Sequence, residues 1–365
     1  MRAAVLPAAG QPLQLERIRV PRPRRGEVLV RVAACGVCHT DLHVIKGEVA
    51  FPSPAVLGHE ISGTVAELGE GVEAPAVGAR IVGTFVLPCG ECDACRRGRD
   101  DLCGPFFTMN RLRGTLFDGE TRLAREDGTP LAMYSMGGLA EYAVLPATAV
   151  FPLPDSQPLE ESAIVGCAAL TAYGAVRHAA SVRVGERVVV VATGGVGSLV
   201  LQLARAAGAA QMVAVDVGEA KLDGALRLGA THVVDASAGD PVETVLGLTD
   251  GGGDAVFEVL GTEQTFLQAL AMVRDGGRMV AVGIAPVGIR APVEITRLVR
   301  RSVRIVGSYG ARVRSDMPTL LGLLDAGLVR PAESVTRRFP LEQAAAAYAA
   351  LERREIVGRA IVTTA

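Results

Sequence analysis

Reactive side chains are concentrated in an early stretch of the chain and in one later position. Residues 36–43 contain a thiol, a hydroxyl, a carboxylate and imidazoles, at Cys38, His39, Thr40, Asp41 and His43. His59 and Glu60 follow, and a lone Cys167 lies more than a hundred residues further on. Two cysteines and a histidine are a zinc ligand set, and three protein ligands leave the fourth position of a catalytic zinc open to substrate. The alternative for Cys167 is a small buried apolar side chain.

Four further thiols have the spacing C-x2-C-x2-C-x7-C, at Cys89, Cys92, Cys95 and Cys103. Short intervals of this kind let thiolates from one loop converge on a metal, and four cysteine ligands close a structural zinc site. An iron–sulfur cluster uses similar spacings and stays an alternative. Nucleic-acid contact by the nearby arginines is disfavoured because neighbouring aspartates largely cancel their charge.

A glycine-rich turn follows a strongly apolar run at residues 187–192, which is typical of a parallel strand buried on both faces. The turn holds Gly194, Gly195, Val196 and Gly197, and a helix-forming run and a second strand ending at Asp216 come next. Strand, glycine turn, helix, strand and acid together are the dinucleotide-binding pattern. A carboxylate at Asp216 accepts the ribose hydroxyls and repels a 2′-phosphate, which favours NAD over NADP. The first glycine of the pattern is replaced by Ala192.

Composition indicates an ordinary globular chain. At 365 residues, two domains are expected. The formal net charge of −2 gives no reason to expect nucleic acid as a partner. We find no signal peptide and no apolar stretch of about twenty residues, so we expect no membrane contact and a cytoplasmic protein. Seven bunched cysteines in a reducing compartment favour metal over disulfides.

The hydrophobic patterns divide the chain into a β-rich part and an α/β part. Alternation at residues 26–34 predicts a half-buried strand, and the first 150 residues read as antiparallel β with irregular loops, including a long polar loop at 104–137. Residues 160–179 are predicted helical. Beyond them, six strands alternate with helices, as in a doubly wound parallel sheet. Helices are expected at 317–324 and 341–355, and a strand at 358–362.

Taken in order, these motifs span nearly the whole chain, which resembles the zinc-dependent alcohol dehydrogenases of the medium-chain dehydrogenase/reductase family. The resemblance implies an α/β fold with a GroES-like, β-rich catalytic domain and a Rossmann domain with a doubly wound parallel sheet. The GroES-like domain, with its structural zinc lobe, would comprise residues 1–160 and 308–365. The Rossmann NAD-binding domain would comprise residues 161–307.

The same resemblance implies roles for particular residues. Cys38, His59 and Cys167 match the catalytic zinc ligands, and Cys89, Cys92, Cys95 and Cys103 the structural zinc ligands, giving two Zn²⁺ per chain. Asp41 matches the carboxylate that orients His59, and Glu60 the acid beside the metal. Thr40 and His43 match the start and end of a proton relay. His39, Lys221 and Arg359 match cofactor contacts, with His39 and Arg359 at the pyrophosphate. Cys35 is left as a spare thiol.

The implied activity is hydride transfer between NAD(H) and a small-molecule alcohol/aldehyde or ketone pair, with zinc polarising the substrate oxygen. We expect a primary alcohol/aldehyde pair, Phe85 and Thr40 lining the pocket, and a homodimer or homotetramer. Two alternatives stay open: an NADP(H)-linked reductase of a specialised carbonyl such as a semialdehyde, and a catalytically silent scaffold or binding protein of the same fold.

Overall fold

The chain divides into two compact units in the computed structural model, which describes residues 1–364. The first unit comprises Met1–Leu170, Arg312–Asp325 and the chain from Val335 onward, and the second comprises Thr171–Ala311 and Ala326–Ser334. Within the described residues, no helix has the length and apolar character needed to cross a membrane.

Over residues 1–364, eighteen strands and ten α-helices form the two units. The strands are β1 (Arg2–Leu6), β2 (Gln14–Arg17), β3 (Glu27–Val37), β4 (Ala55–Val56), β5 (Ile61–Leu68), β6 (Arg80–Gly83), β7 (Leu123–Ala124), β8 (Pro130–Met133), β9 (Tyr142–Pro146), β10 (Val150–Pro152), β11 (Arg187–Val191), β12 (Gln211–Asp216), β13 (His232–Asp235), β14 (Gly253–Glu258), β15 (Val273–Ala281), β16 (Arg304–Gly307), β17 (Val335–Pro340) and β18 (Arg359–Thr363). The helices are α1 (His39–Ile45), α2 (Asp93–Arg96), α3 (Ala168–Gly174), α4 (Gly197–Ala206), α5 (Glu219–Arg227), α6 (Pro241–Leu248), α7 (Glu263–Ala271), α8 (Ile295–Arg300), α9 (Val313–Asp325) and α10 (Ala344–Glu352).

Two sheets build the first unit. Their strand orders are β2-β1-β4-β8-β7 and β10-β6-β5-β3-β18-β17, and β9 also pairs with β3. β3 is central because β5 covers one edge while β9 and β18 share the other, all antiparallel. The prediction of a half-buried strand here was wrong: Arg31 is the only exposed residue of β3. Other chain segments cover both faces of this central strand, so its small and polar positions are buried as well.

Residues 104–137 are structured, in contrast to the predicted polar loop. They contain a π-helical turn at Phe106–Arg111 and the strands β7 and β8, and β8 pairs in parallel with β4. Leu123, Leu131 and Met133 are buried there. The two strands have only two and four residues, which is too short to produce a clear periodic signal in the sequence.

The second unit is a six-stranded parallel sheet in the order β13-β12-β11-β14-β15-β16. Each of its strand pairs is parallel, and valines of β11, β12 and β14 form its buried core. The expected doubly wound sheet is confirmed, since the strand order reverses beside β11 as in dinucleotide-binding folds.

The prediction of helical structure at 160–179 is confirmed, with a break at Cys167. A 3-10 helix at Glu161–Gly166, α3, and a π-helical stretch at Ala175–Ala180 follow one another. The carbonyl of Gly166 accepts the backbone N–H of Phe85 at 3.1 Å. A Cβ at Gly166 would lie 1.8 Å from the carbonyl oxygen of Gly83. Contact with another chain segment therefore replaces the helical hydrogen bonding that periodicity alone suggested.

Near the end of the chain, the predicted elements are present with shifted bounds. α9 begins four residues earlier than expected, at Val313. A 3-10 turn at Leu341–Gln343 precedes α10. β18 then pairs with β3 and lies parallel to β17.

Candidate active site and metal centres

Four predicted residues converge at the end of β3. The candidate ligand atoms of Cys38, His59, Glu60 and Cys167 all lie within 4.8 Å of one another. Cys38 is the residue between β3 and α1, with extended backbone angles. His59 and Glu60 directly precede β5, which pairs with β3, and Cys167 lies at the helix break described above. All four are buried, with Cys38 and Cys167 each 7 % exposed.

Asp41 fixes the orientation of His59. Its Oδ1 accepts the His59 Nδ1–H at 3.0 Å and the backbone N–H of Gly58 at 3.2 Å, and its Oδ2 accepts the Tyr348 hydroxyl at 2.9 Å. Nε2 of His59 is thereby left as the ring nitrogen with a lone pair. The sequence analysis missed Tyr348. Its only signal was a single hydroxyl-bearing side chain in the alanine-rich helix α10.

Glu60 forms a buried ion pair with Arg359, whose Nη2 also lies 3.7 Å from the Cys38 sulfur. Arg359 begins β18, and the pairing of β18 with β3 brings it here. Gly36 makes room for Glu60, because a Cβ at Gly36 would lie 1.9 Å from Oε2. The resemblance placed Arg359 at the cofactor pyrophosphate. The structure places it beside Glu60 and Cys38.

The electrostatics of this group suit a divalent cation. A hydrogen bond from Cys167 lowers the pKa of Cys38 well below its ordinary range, and the same contact together with burial raises the pKa of Cys167. Burial raises the pKa of Glu60 to about 7, although Arg359 opposes the shift. Glu60 Oε2 is buried and has no hydrogen-bond partner within the described residues. The Cys38 and Cys167 sulfurs are so close that the negative charge of one opposes deprotonation of the other, and the Glu60 oxygen beside them has no partner among the described residues. Zinc fits this arrangement because it would bind both sulfurs as thiolates.

The predicted relay residues lie on the first two turns of α1. Thr40 Oγ1 is 3.5 Å from the Cys38 sulfur. His43 is partly exposed and its Nδ1 lies 2.5 Å from Glu48 Oε2. His39 is exposed at the start of the helix. Sequence reasoning missed Glu48, which carries no pattern of its own.

The four thiols of the second motif also converge. Their sulfurs lie within 4.8 Å of one another, with Cys95 and Cys103 buried. Backbone N–H groups point inward: Cys89 donates to the Cys103 sulfur and Cys92 to the Cys89 sulfur, each at 3.3 Å. Burial raises the pKa of Cys103 to about 11. All seven cysteines are free thiols, and Cys35 lies outside both groups.

An ion pair anchors this four-thiol loop within the first unit. Asp100 is 1 % exposed, and Arg314 at the start of α9 donates to it from Nη2 at 2.8 Å and from its backbone N–H at 2.9 Å. Arg314 also donates to the carbonyl oxygen of Cys95. The backbone N–H of Cys103 donates to the carbonyl oxygen of Asp100.

In the second unit, the glycine turn lies between β11 and α4, next to the end of β12. Asp216 Oδ2 accepts the backbone N–H of Thr193 at 2.6 Å, and Lys221 Nζ lies 3.2 Å from Oδ1. Gly197 packs so closely that a Cβ would lie 2.0 Å from the carbonyl oxygen of Ala192. A Cβ added at Gly194 would have no atom within 4 Å. The backbone at Gly194 is therefore open to close approach by a ligand.

A β-rich unit with a Cys-His-Cys group and a four-thiol lobe, followed by a parallel sheet with a glycine turn, defines a zinc-dependent dehydrogenase. Residues 24–155 match the family described as alcohol dehydrogenase GroES-like domain, and residues 195–326 match zinc-binding dehydrogenase. The chain belongs to the zinc-dependent alcohol dehydrogenases of the medium-chain dehydrogenase/reductase family, as the resemblance predicted.

The chain matches relatives over nearly its whole length. The NDMA-dependent alcohol dehydrogenase of Amycolatopsis methanolica is 35 % identical over 348 residues, 94 % of this chain and 93 % of that protein. The S-(hydroxymethyl)glutathione dehydrogenase of Paracoccus denitrificans is 32 % identical over 93 % of this chain and 94 % of its own length. The crystal structure of benzyl alcohol dehydrogenase from Acinetobacter calcoaceticus superposes with a TM-score of 0.93 at 29 % identity, covering 100 % of this chain and 99 % of that one. The chain is therefore an oxidoreductase of the alcohol dehydrogenase type with small-molecule substrates.

Proposed function

We propose that this protein is an NAD(H)-linked dehydrogenase that interconverts a primary alcohol and its aldehyde, with one catalytic and one structural zinc per chain. The convergence of Cys38, His59 and Cys167 within 4.8 Å carries the proposal, because such a set leaves one coordination position for substrate. Zinc bound there would act as a Lewis acid on the substrate oxygen. Cys89, Cys92, Cys95 and Cys103 would hold the structural ion.

The residues around the candidate ligands have distinct tasks in this proposal. Asp41 keeps the Nε2 lone pair of His59 directed at the metal. Arg359 balances the charge of Glu60 and Cys38 in a buried setting. Thr40 can take the proton of the alcohol and pass it on, since a hydroxyl both accepts and donates. His43, with 26 % of its side chain exposed, would release that proton to solvent.

The glycine turn supports NAD as the cofactor. Gly194, Gly195, Val196 and Gly197 would hold the pyrophosphate at the start of α4. Asp216 would accept the adenosine ribose hydroxyls. His39 and Lys221 are proposed as further cofactor contacts. Arg359 is proposed as a third, and its guanidinium would then contact both Glu60 and the pyrophosphate.

One observation favours NADP(H) as a second candidate. Lys221 lies 3.2 Å from Asp216, and its positive charge offsets the carboxylate that would repel a 2′-phosphate. The test is to follow the absorbance of the reduced cofactor with a panel of aldehydes and ketones, in parallel series with NADH and with NADPH. We expect oxidation of NADH at least tenfold faster. Equal rates of NADH and NADPH oxidation would show that Asp216 does not exclude a 2′-phosphate. No oxidation of either cofactor by zinc-loaded protein would favour a catalytically silent scaffold.

A metal-content measurement separates the two zinc sites. We expect Cys38→Ser to lower the zinc content from two ions per chain to one and to abolish activity, while cooperative thermal unfolding persists. The matched variant Cys35→Ser changes a buried thiol outside both groups and should retain two ions. Loss of both zincs from Cys38→Ser would contradict separate sites.

Self-association completes the proposal, as a homodimer or homotetramer. β16 has one strand neighbour in its sheet. Apolar side chains on and before it are exposed, namely Val287 at 95 %, Ile295 at 75 %, Val299 at 69 % and Ile305 at 38 %. An unpaired strand edge with exposed apolar side chains favours burial against another chain. Light scattering on the purified protein tests this, and a monomer at micromolar concentration would refute it.

A further inference from the structure

In the part of the chain that the structure describes, one guanidinium group without an acidic partner lies against the ring of Tyr134, which neighbours the ring of His59. Arg111 ends the π-helical turn Phe106–Arg111 and is half-buried. Its Cζ lies 3.9 Å from the centroid of the Tyr134 ring. Within the described residues, no carboxylate forms an ion pair with it, whereas Arg122 on the same segment is paired with both Glu27 and Asp118.

Buried hydrogen bonds hold the backbone segment that carries Arg111 in place. The neighbouring Asn110 is fully buried, and its Nδ2 donates to the carbonyl oxygens of Ser135 at 2.8 Å and of Thr115 at 3.1 Å. The Ser135 hydroxyl donates in turn to the carbonyl oxygen of Phe85 at 2.8 Å. The segment that carries Arg111 is thus tied to the segments that carry Tyr134 and Phe85.

Both of these aromatic rings contact a candidate zinc ligand. The His59 ring lies 5.9 Å from the Tyr134 ring and 6.2 Å from the Phe85 ring, measured between centroids, each in an edge arrangement. The centroid distances of 5.9 and 3.9 Å place the Arg111 guanidinium carbon at most about 10 Å from the His59 ring. A four- or five-carbon substrate bound at the metal could span that distance.

From this geometry we propose that Arg111 selects substrates that carry a carboxylate, so that the favoured pair is a short-chain oxo acid with a terminal aldehyde and the matching hydroxy acid. The inference rests on the proposed function and specifies its substrate class. A planar guanidinium pairs with a carboxylate through two parallel hydrogen bonds. Stacking on Tyr134 restricts the side chain before substrate arrives, so less conformational entropy is lost on binding. A neutral aldehyde would gain none of this interaction.

The test compares two aldehydes of equal chain length, 4-oxobutanoate and butanal, at saturating NADH. For the wild-type protein we expect kcat/KM to be at least about tenfold higher for 4-oxobutanoate. Arg111→Gln should remove most of that preference by raising KM for 4-oxobutanoate. The value of kcat/KM for butanal should stay within about threefold of the wild-type value. Arg113→Gln, on an exposed arginine of the same segment, should leave the ratio unchanged. An unchanged ratio in Arg111→Gln would overturn the proposal, and so would an equal loss for both substrates, which would mean that Arg111 only supports Tyr134.

A measurement on the wild-type protein covers the case in which Arg111→Gln does not fold. Raising the salt concentration from about 20 to about 300 mM should increase KM for 4-oxobutanoate but not for butanal, because salt screens a partly exposed charge pair. Salt-independent KM values for both substrates would overturn the proposal. Turnover of butanal without preference for the acid would refute the carboxylate inference alone, whereas no NADH oxidation with any aldehyde would refute the proposed function itself.

Discussion

Asp41 shows how a single carboxylate can organise a metal centre. It is fully buried, and its two oxygens accept three hydrogen bonds, from His59, Gly58 and Tyr348. A buried carboxylate is stable only with such partners. The negative charge next to Nδ1 also makes His59 a stronger metal ligand.

We expect Asp41→Asn to weaken zinc binding at the Cys38 group about 10- to 100-fold, because the amide brings no charge and has one acceptor oxygen where Asp41 uses two. The measurement is zinc content after dialysis against a graded chelator series. Tyr348→Phe is the matched variant, since it removes one donor and leaves the His59 contact in place; its zinc content should change much less. Equal zinc retention by Asp41→Asn and the wild type would show that the hydrogen bond does not tune the site.

The site residues that could be predicted from the sequence are those whose residue type and spacing are rare outside metal sites. Cys38, His59 and the four-thiol motif are of this kind. Tyr348 and the pairing of Glu60 with Arg359 could not be predicted from the residues themselves, because they depend on α10 and β18 returning to β3. Contacts between positions 300 residues apart leave no local pattern.

At the scale of elements, interruptions in regular structure position the chemistry. Cys167 occupies the break between a 3-10 helix and α3, and Cys38 the junction between β3 and α1. Apolar periodicity predicts where helices and strands run, but hydrogen bonds from distant segments decide where they break. The helical prediction at 160–179 missed the break at Cys167 for this reason, since the partner of Gly166 is Phe85.

The turn between β11 and α4 offers a sharper test at this scale. We expect Gly197→Ala to destabilise the protein by about 1–3 kcal/mol and to weaken NADH binding, because the added methyl would lie 2.0 Å from the Ala192 carbonyl oxygen. Chemical denaturation and NADH fluorescence titration measure the two effects.

Gly224→Ala in α5 is the control for that substitution. Its Cβ would meet only the end of the Arg227 side chain, at 3.7 Å, and alanine favours a helix over glycine. It should leave stability unchanged or raise it. Unaltered NADH affinity in Gly197→Ala would mean that the turn is more adaptable than its packing indicates.

For the whole molecule, the division into two units places both candidate metal groups in the first unit and the glycine turn with Asp216 in the second. The doubly wound sheet of the second unit could be predicted because strands buried on both faces are continuously apolar. The order of the short strands in the first unit could not, since two-residue strands such as β4 and β7 carry no periodicity.

We expect ligands to stabilise these units differently in hydrogen exchange followed by mass spectrometry. Zinc removal should speed exchange most in residues 89–103, whose backbone N–H groups contact the thiols. NADH at 100 times its Kd should add about 2.7 kcal/mol of protection, centred on residues 187–216. A uniform change over the whole chain from either treatment would contradict the assignment of zinc to the four-thiol loop and of the main cofactor contacts to the glycine turn.

The position of β18 has a consequence for how this protein is made. β3 appears early in synthesis, but part of its edge is paired by β18, which follows it by more than 300 residues. At about 5–20 residues per second, a ribosome needs roughly 15 to 65 s to make the intervening chain. Throughout that interval residues 34–37 of β3 lack their partner on that edge, and Glu60 lacks Arg359. The candidate active site is therefore complete only after residue 359 has been made, and until then part of the β3 edge is available for pairing with another strand.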